Sequence, residues 1–250
     1  MKSSRPSFQF LLAPILYLLV LAVAPLPAPA GEAYFPEGKL DGAVFLAPPP
    51  LPGSAEQAAD MASVVAAHQA CTSAEAALAF SEKKFSIFTF TPAIGEYFQP
   101  GKFPKTEAFF ERVQTQAEMV ADHAKNFWKR PRPFTLNPSL ASGKLEKSFS
   151  YPSGHSTEGT VLALVLAEVF PEKREDILAI GRNLGWHRVL IARHYPTDIY
   201  AGRVFAQAIV REMENNLAFH RDLEEARAEI QAARQAHTPE TAFPQAAVAK

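Results

Sequence analysis

Cysteine is almost absent: there is one, Cys71, in 250 residues. No internal disulfide can form, which excludes a small disulfide-stapled fold. The lone thiol lies among alanines with no basic neighbour to lower its pKa, so it reads as a buried, inert residue on a helix. An excess of charge is also missing. Lys and Arg number 25 against 26 Asp and Glu, so the chain carries no electrostatic footprint for nucleic acid. Beyond residue 30 no apolar run approaches the ~20 residues needed to cross a bilayer. The longest, Val161 to Val169, already contains Glu168. Strand-like alternation is scarce, and no internal repeat is found.

What is present begins with an export signal. Lys2 and Arg5 give a positive start, and an apolar run from Phe8 to Val23 follows, broken only by Gln9 and Pro14. The stretch from Pro25 to Ala30 ends any helix and closes on a small-x-small site, Ala28-x-Ala30, which places cleavage after Ala30. The rival, an uncleaved membrane anchor, fits the proline cluster less well. A lipoprotein anchor has no cysteine after the site to carry it. The expectation is residues 1–30 as signal peptide and a periplasmic mature chain with no membrane segment.

Residues 31–53 are rich in Pro and Gly and read as an extended arm, which is also a candidate for contact with a second copy of the chain in a homo-oligomer. The domain proper is expected over residues 54–240, with a disordered tail at 241–250. Helical spacing of apolar residues predicts a helix from Ser54 to about Phe80, and a short one around Ile94 to Phe98. Longer helices follow at Thr106 to Trp128, Ser156 to Phe170, Arg174 to Ala192, Asp198 to Leu217 and His220 to Gln235. A Pro/Ser-rich loop runs from Arg130 to Tyr151. The fold class is all-α, a single-domain helical bundle.

Three clusters concentrate residues suited to one chemistry. Lys125 closes a helix, and Arg132 follows in a loop between two prolines that restrict its backbone. A fixed guanidinium fork suits bidentate phosphate recognition, although basic residues near a helix C-terminus often only complement the dipole. Tyr151-Pro-Ser153-Gly154-His155 opens a helix, where free amides and the positive helix end favour an anion. Read alone, Ser153 is an ordinary cap. In the third cluster Arg188, His194 and Asp198 follow one another. A carboxylate four residues past a histidine can accept its Nδ1 proton and leave Nε2 as nucleophile or base. The bland alternative is a structural His–Asp pair, and no ligand set with metal spacing accompanies it.

Taken together, Lys-x6-Arg-Pro, Pro-Ser-Gly-His and Arg-x5-His-x3-Asp resemble the signature of the type 2 phosphatidic acid phosphatase superfamily, which includes the vanadium haloperoxidases. Within it the chain is most similar to the exported class A non-specific acid phosphatases of bacteria. The resemblance implies a helical bundle of that type hydrolysing small phosphate monoesters with neither metal nor cofactor. It implies His194 as the nucleophile that forms a phosphohistidine, and Asp198 as its orienting partner. His155 would be the general acid and later the base. Lys125, Arg132, Ser153, Gly154 and Arg188 would hold the phosphoryl oxygens.

One position departs from the pattern: His187 stands where the family usually has serine. Lipid or isoprenoid-pyrophosphate phosphatases would use the same residues but are usually multi-spanning, and vanadate-dependent haloperoxidases are generally longer between the first two blocks. A non-enzymatic anion-binding protein has no need of a second histidine at His155. His68, His123, His220 and His237 read as packing, surface or capping residues. Arg193 and Lys129 read as surface or rim charges, and Tyr151 and Tyr195 as pocket lining or packing.

Overall fold

The computed structural model describes residues 33–237, so the expected signal peptide and tail lie outside the described residues. Within that span the regular structure is entirely helical. None of its helices is long and apolar enough to cross a membrane.

Helix α7 (Gly154–Val169) is the centre. Ser153 caps it, its Oγ accepting from the Ser156 amide at 3.3 Å, and it ends at Phe170 ahead of Pro171. Its residues Val161, Leu162, Ala163, Val165 and Leu166 are all buried, as expected of a helix apolar all round. Three long helices surround it: α5 (Pro104–Trp128), α8 (Arg174–Leu190) and α9 (Pro196–Glu214). They carry the apolar stripes that the helical spacing predicts, for example Phe109, Phe110, Val113, Ala117, Ala121 and Ala124 on α5. Helix α10 (Leu217–His237) lays Leu223, Ala226 and Ile230 against this core.

Two glycines set how closely the helices meet. A Cβ on Gly181 of α8 would stand 2.6 Å from the Ala163 Cβ and 2.9 Å from the Gly159 carbonyl of α7. A Cβ on Gly202 of α9 would stand 2.9 Å from both the Ser153 carbonyl and the Ser156 Cβ. The second approach draws the starts of α7 and α9 together, and the Ser153 amide donates to the Asp198 carbonyl at 3.1 Å. Gly181→Ala should overpack the α7–α8 contact and cost about 1–3 kcal/mol. Thermal unfolding should then show a midpoint several degrees lower, at about 2–4 °C per kcal/mol for a chain of this size.

Two of the expected helices differ in the structure. The stretch from Ser54 to Phe80 is two helices, α2 (Ala55–Ala70) and α3 (Ser73–Ser81), because Thr72 and Glu75 form a reciprocal capping box that starts a new helix. Cys71 therefore sits in the break, half-buried rather than buried, its Sγ 3.5 Å from the Thr72 carbonyl. The short helix expected at Ile94 to Phe98 instead ends at Ile94: a 3-10 turn at Ile87–Phe90 leads into α4 (Thr91–Ile94), stopped by Gly95 at φ +127°.

The segment read as an extended arm packs on its own chain. Tyr34 and Phe35 are buried, Tyr34 with its ring edge-on to Phe219 at 5.2 Å, and Gln116 on α5 bonds both backbones. A single turn, α1 (Gly42–Phe45), is capped by Asp41, and the Pro-rich run beyond it leads to α2. The Arg130 to Tyr151 loop holds one helical turn, α6 (Pro133–Leu136), and a 3-10 turn at Pro138–Leu140.

Candidate active site

Lys125 lies in the last turn of α5 and is 7% exposed, its Nζ 2.6 Å from Asp122. Lys129 ends the helix in the left-handed region at φ +49°. The chain then runs through Arg130 and Pro131 to an extended Arg132 before α6, and the side chains of Arg130 and Arg132 point to different partners. Arg132 turns to one side. Its Nε and Nη2 donate to the Ser148 carbonyl and hydroxyl at 2.7 and 2.9 Å, and its Nη1 reaches the Arg193 carbonyl at 3.0 Å and His194 Nε2 at 3.1 Å.

That last contact decides the tautomer of His194. A guanidinium only donates, so Nε2 must accept, and the ring proton resides on Nδ1. Nδ1 faces Asp198 Oδ2 at 3.3 Å, with Ser150 Oγ at 3.4 Å. Burial, followed by Arg132 and Arg188, holds the His194 pKa well below the usual histidine range. The ring is therefore neutral, with a lone pair on Nε2.

Asp198 is fully buried and, besides His194, is held by three further donors: Arg130 Nη1 at 2.6 Å, Ser150 Oγ at 2.6 Å and the Tyr195 amide at 2.9 Å. Burial pushes its carboxyl up from the ordinary range, and Arg130, Ser150 and the Tyr195 amide oppose that. Arg130 also reaches Asp60 at 2.7 Å, Gln57 at 2.8 Å and Thr197 at 2.7 Å, and it lies over the Tyr195 ring at 3.9 Å.

A turn brings Arg188 back beside His194. The amides of Arg193 and His194 both donate to the Arg188 carbonyl, at 2.8 and 3.3 Å, and Ala192 takes a left-handed φ of +55° to close it. That conformation costs a non-glycine residue roughly 1 kcal/mol or more. Arg188 is 2% exposed and its pKa is lowered to about 10, chiefly by burial. Its guanidinium bonds Glu146 at 2.6 Å and the Ala79 carbonyl at 3.2 Å. Arg188 is thus paired with a carboxylate from the loop.

At the start of α7, Gly154 leaves room for the Lys125 ammonium: a Cβ there would stand 3.0 Å from Lys125 Nζ and 3.2 Å from Glu158 Oε1. Glu158 accepts from Gln114 at 3.1 Å, and burial raises its carboxyl to about 7. Ser153 is buried, its hydroxyl occupied as the helix cap. His155 Nε2 is 3.2 Å from the Glu82 carbonyl, with the Phe85 ring centroid 5.3 Å away. Burial first, then Arg188 and His194, lower its pKa well below the usual value.

All eight residues picked out by the three clusters thus lie around the start of α7 and the turn before α9. Sequence reasoning missed Arg130, Ser150 and Glu146. Arg193 is corrected: it is 1% exposed rather than on the rim, its Nε 2.8 Å from Glu146 and its guanidinium against Phe80 and Phe134. Lys129 is exposed, and Tyr151 and Tyr195 are both buried packing residues. His68 bonds the Leu190 carbonyl at 2.8 Å, while His123 and His220 are exposed on the surface; the His237 side chain lies outside the described residues. Among the described residues no three of His, Cys, Asp and Glu converge to hold a metal ion.

The PAP2 superfamily model matches residues 115–215, which contain every one of these eight positions. The chain is 33% identical over 211 residues to an acid phosphatase of Zymomonas mobilis, covering 80% of each protein. It belongs to the PAP2 superfamily. A non-specific acid phosphatase of Salmonella typhimurium is also 33% identical, over 147 residues that make up 56% of this chain and 59% of that protein. A lipid A 1-phosphatase of Rhizobium etli is 41% identical over 72 residues, 29% of this chain and 30% of the relative. The PAP2 match begins within α5 and ends just past α9, so the arm, α2, α3 and the whole of α10 fall outside it.

Proposed function

We propose that the chain is an exported acid phosphatase that hydrolyses small phosphate monoesters through a phosphohistidine on His194. The single observation that carries this is the Arg132 bond to His194 Nε2. It leaves a neutral, lone-pair-bearing nitrogen against a fixed cation, at the point where Lys125, Arg188 and the free amides of α7 converge. In this reading a phosphoryl dianion takes over the Arg132 and Arg188 donors and displaces Glu146. Cationic positioning of the equatorial oxygens is the main catalytic requirement of phosphoryl transfer.

The Nε2 lone pair forms the N–P bond as the ester P–O bond breaks. The departing oxygen keeps the bonding pair and takes a proton from His155. His194 becomes cationic, and Asp198 stabilises it. Water then attacks phosphorus, gives a proton to His155, and the N–P bond breaks to free phosphate and restore neutral His194. The positive start, apolar run and small-x-small site of residues 1–30 support export to the periplasm.

The pH dependence follows from two depressed histidines. His194 must be neutral, and its low pKa keeps it so as pH falls, which moves the acid limb below the usual ~6.5 of histidine. His155 must be protonated, and burial with Arg188 and His194 lowers its pKa too, so the alkaline limb of kcat/KM also moves down. The whole bell should lie on the acid side of neutrality. Turnover of β-glycerophosphate, whose alkoxide leaves only with a proton, by the purified chain across pH, with excess EDTA and with vanadate, checks this. The proposal predicts an acid optimum, resistance to the chelator and inhibition by vanadate. An alkaline optimum, or activity that returns only with a divalent metal, would refute it.

A further inference from the structure

His187, the position where the family pattern has serine, is not idle at the rim. It lies in the last turn of α8 facing the C-terminus of α3, and its Nδ1 is 2.7 Å from Glu82 Oε2. Both side chains are nearly enclosed, at 15% and 11% exposure. Glu82 is the C-cap of α3. Carbonyls at a helix end have no intrahelical donor, and this one accepts from His155 Nε2 at 3.2 Å. One residue thus joins two histidines, His187 through its carboxylate and His155 through its backbone.

A neighbouring carbonyl of the same helix end, Ala79, accepts from Arg188. The negative end of α3 is therefore applied to the cationic site at two points. Because a carbonyl only accepts, the neutral His155 ring must carry its proton on Nε2. Nδ1 makes no hydrogen bond to the described residues and is left for the substrate.

We infer that the Glu82–His187 pair is a positioning device for His155, anchoring the carbonyl that orients the general acid toward the leaving-group oxygen. This rests on the phosphatase reading and on His155 as the proton donor within it. The charged and titratable groups facing His155 are Lys125 of α5, Arg188 of α8 and His194, and all three favour the neutral ring. The Glu82 carbonyl opposes them, and Glu75 stands close enough to His187 to feel its charge. Loosening the carbonyl should therefore lower the pKa of the acid and move the alkaline limb of kcat to lower pH.

Leaving-group dependence separates this role from a structural one. A p-nitrophenolate departs without needing a proton, whereas the alkoxide of β-glycerophosphate does not. His187→Ser should cut kcat/KM on β-glycerophosphate, which covers the steps through leaving-group departure and not the later attack of water, about tenfold, a fraction of the ~10²–10⁴ that a general acid contributes. On p-nitrophenyl phosphate the loss should stay under about threefold, with KM for both substrates little changed. The alkaline limb on β-glycerophosphate should move to lower pH. Glu82→Ala should behave like His187→Ser. His187→Asn, whose amide can donate from the place of Nδ1, should restore much of the loss. Equal losses on both substrates, an unmoved alkaline limb, or no loss at all would overturn the inference. Failure of the phosphatase reading would show separately, as a wild-type chain inactive on both substrates.

Discussion

His194→Ala should reduce turnover of p-nitrophenyl phosphate by about 10⁴-fold or more, since removal of a covalent nucleophile leaves only binding and electrostatic stabilisation. The loss should be one of chemistry and not of fold. Without the ring, Arg132 keeps its bonds to Ser148 and to the Arg193 carbonyl. Asp198 likewise keeps Arg130, Ser150 and the Tyr195 amide. No buried charge loses its only partner, so the variant should unfold within a few degrees of the parent. Circular dichroism melts recorded beside the assay check that separation. Inactivity together with a large drop in midpoint would leave the nucleophile unproved. Residual activity within tenfold of the parent would remove His194 from the role.

Arg130→Ala should do the reverse, with the largest effect on stability of any substitution in the site. The Arg130 side chain is 3% exposed, and those of Asp60 and Asp198 are 3% and 0%. Truncation strands two carboxylates in the interior at once. Breaking a buried pair costs about 3–5 kcal/mol, because the remaining charge is left uncompensated. At about 2–4 °C per kcal/mol the midpoint should fall on the order of 10 °C. Arg130→Lys should recover little, since one ammonium cannot span Asp60, Asp198 and Thr197 as a planar fork does. A truncation that melts within about 2 °C of the parent would contradict the coupling drawn here. The same node joins α2, through Asp60, to the start of α9, so its loss should also slacken the turn that presents His194.

The all-helical class and the long helices were legible because each repeats apolar residues at helical spacing, and α7 stands out as apolar on every face. The eight candidate site residues stood out because each lies in a short cluster whose members are local in sequence. What supports them was not. Arg130 shares its run with Lys129 and Arg132, and nothing nearby in sequence marks it as the partner of Asp60, seventy residues earlier. Ser150 and Glu146 lie in a loop without periodicity, and their partners Asp198 and Arg188 are more than forty residues away.

Arg193 looked like a surface charge because its burial depends on that loop folding over it: Phe134 and the Ser142 carbonyl close on its guanidinium, with Phe80 on another side. The break at Cys71 was readable in principle. Thr72-x-x-Glu75 is a capping box, hidden only by the alanines on either side. His187 was visible as a departure from the pattern, but its partner Glu82 sits on a helix outside the matched region.

The covalent intermediate is the centre of this account, and it can be trapped. The chain should be mixed with saturating p-nitrophenyl phosphate and quenched in alkali, which preserves a phosphoramidate bond that acid would hydrolyse. Digestion and mass spectrometry then locate any phosphoryl group. The account predicts that group on the peptide containing His194, absent from His194→Ala and prevented by vanadate. A chain that turns over substrate yet carries no phosphoryl group, or carries it on His155 or on any other residue, would contradict the mechanism.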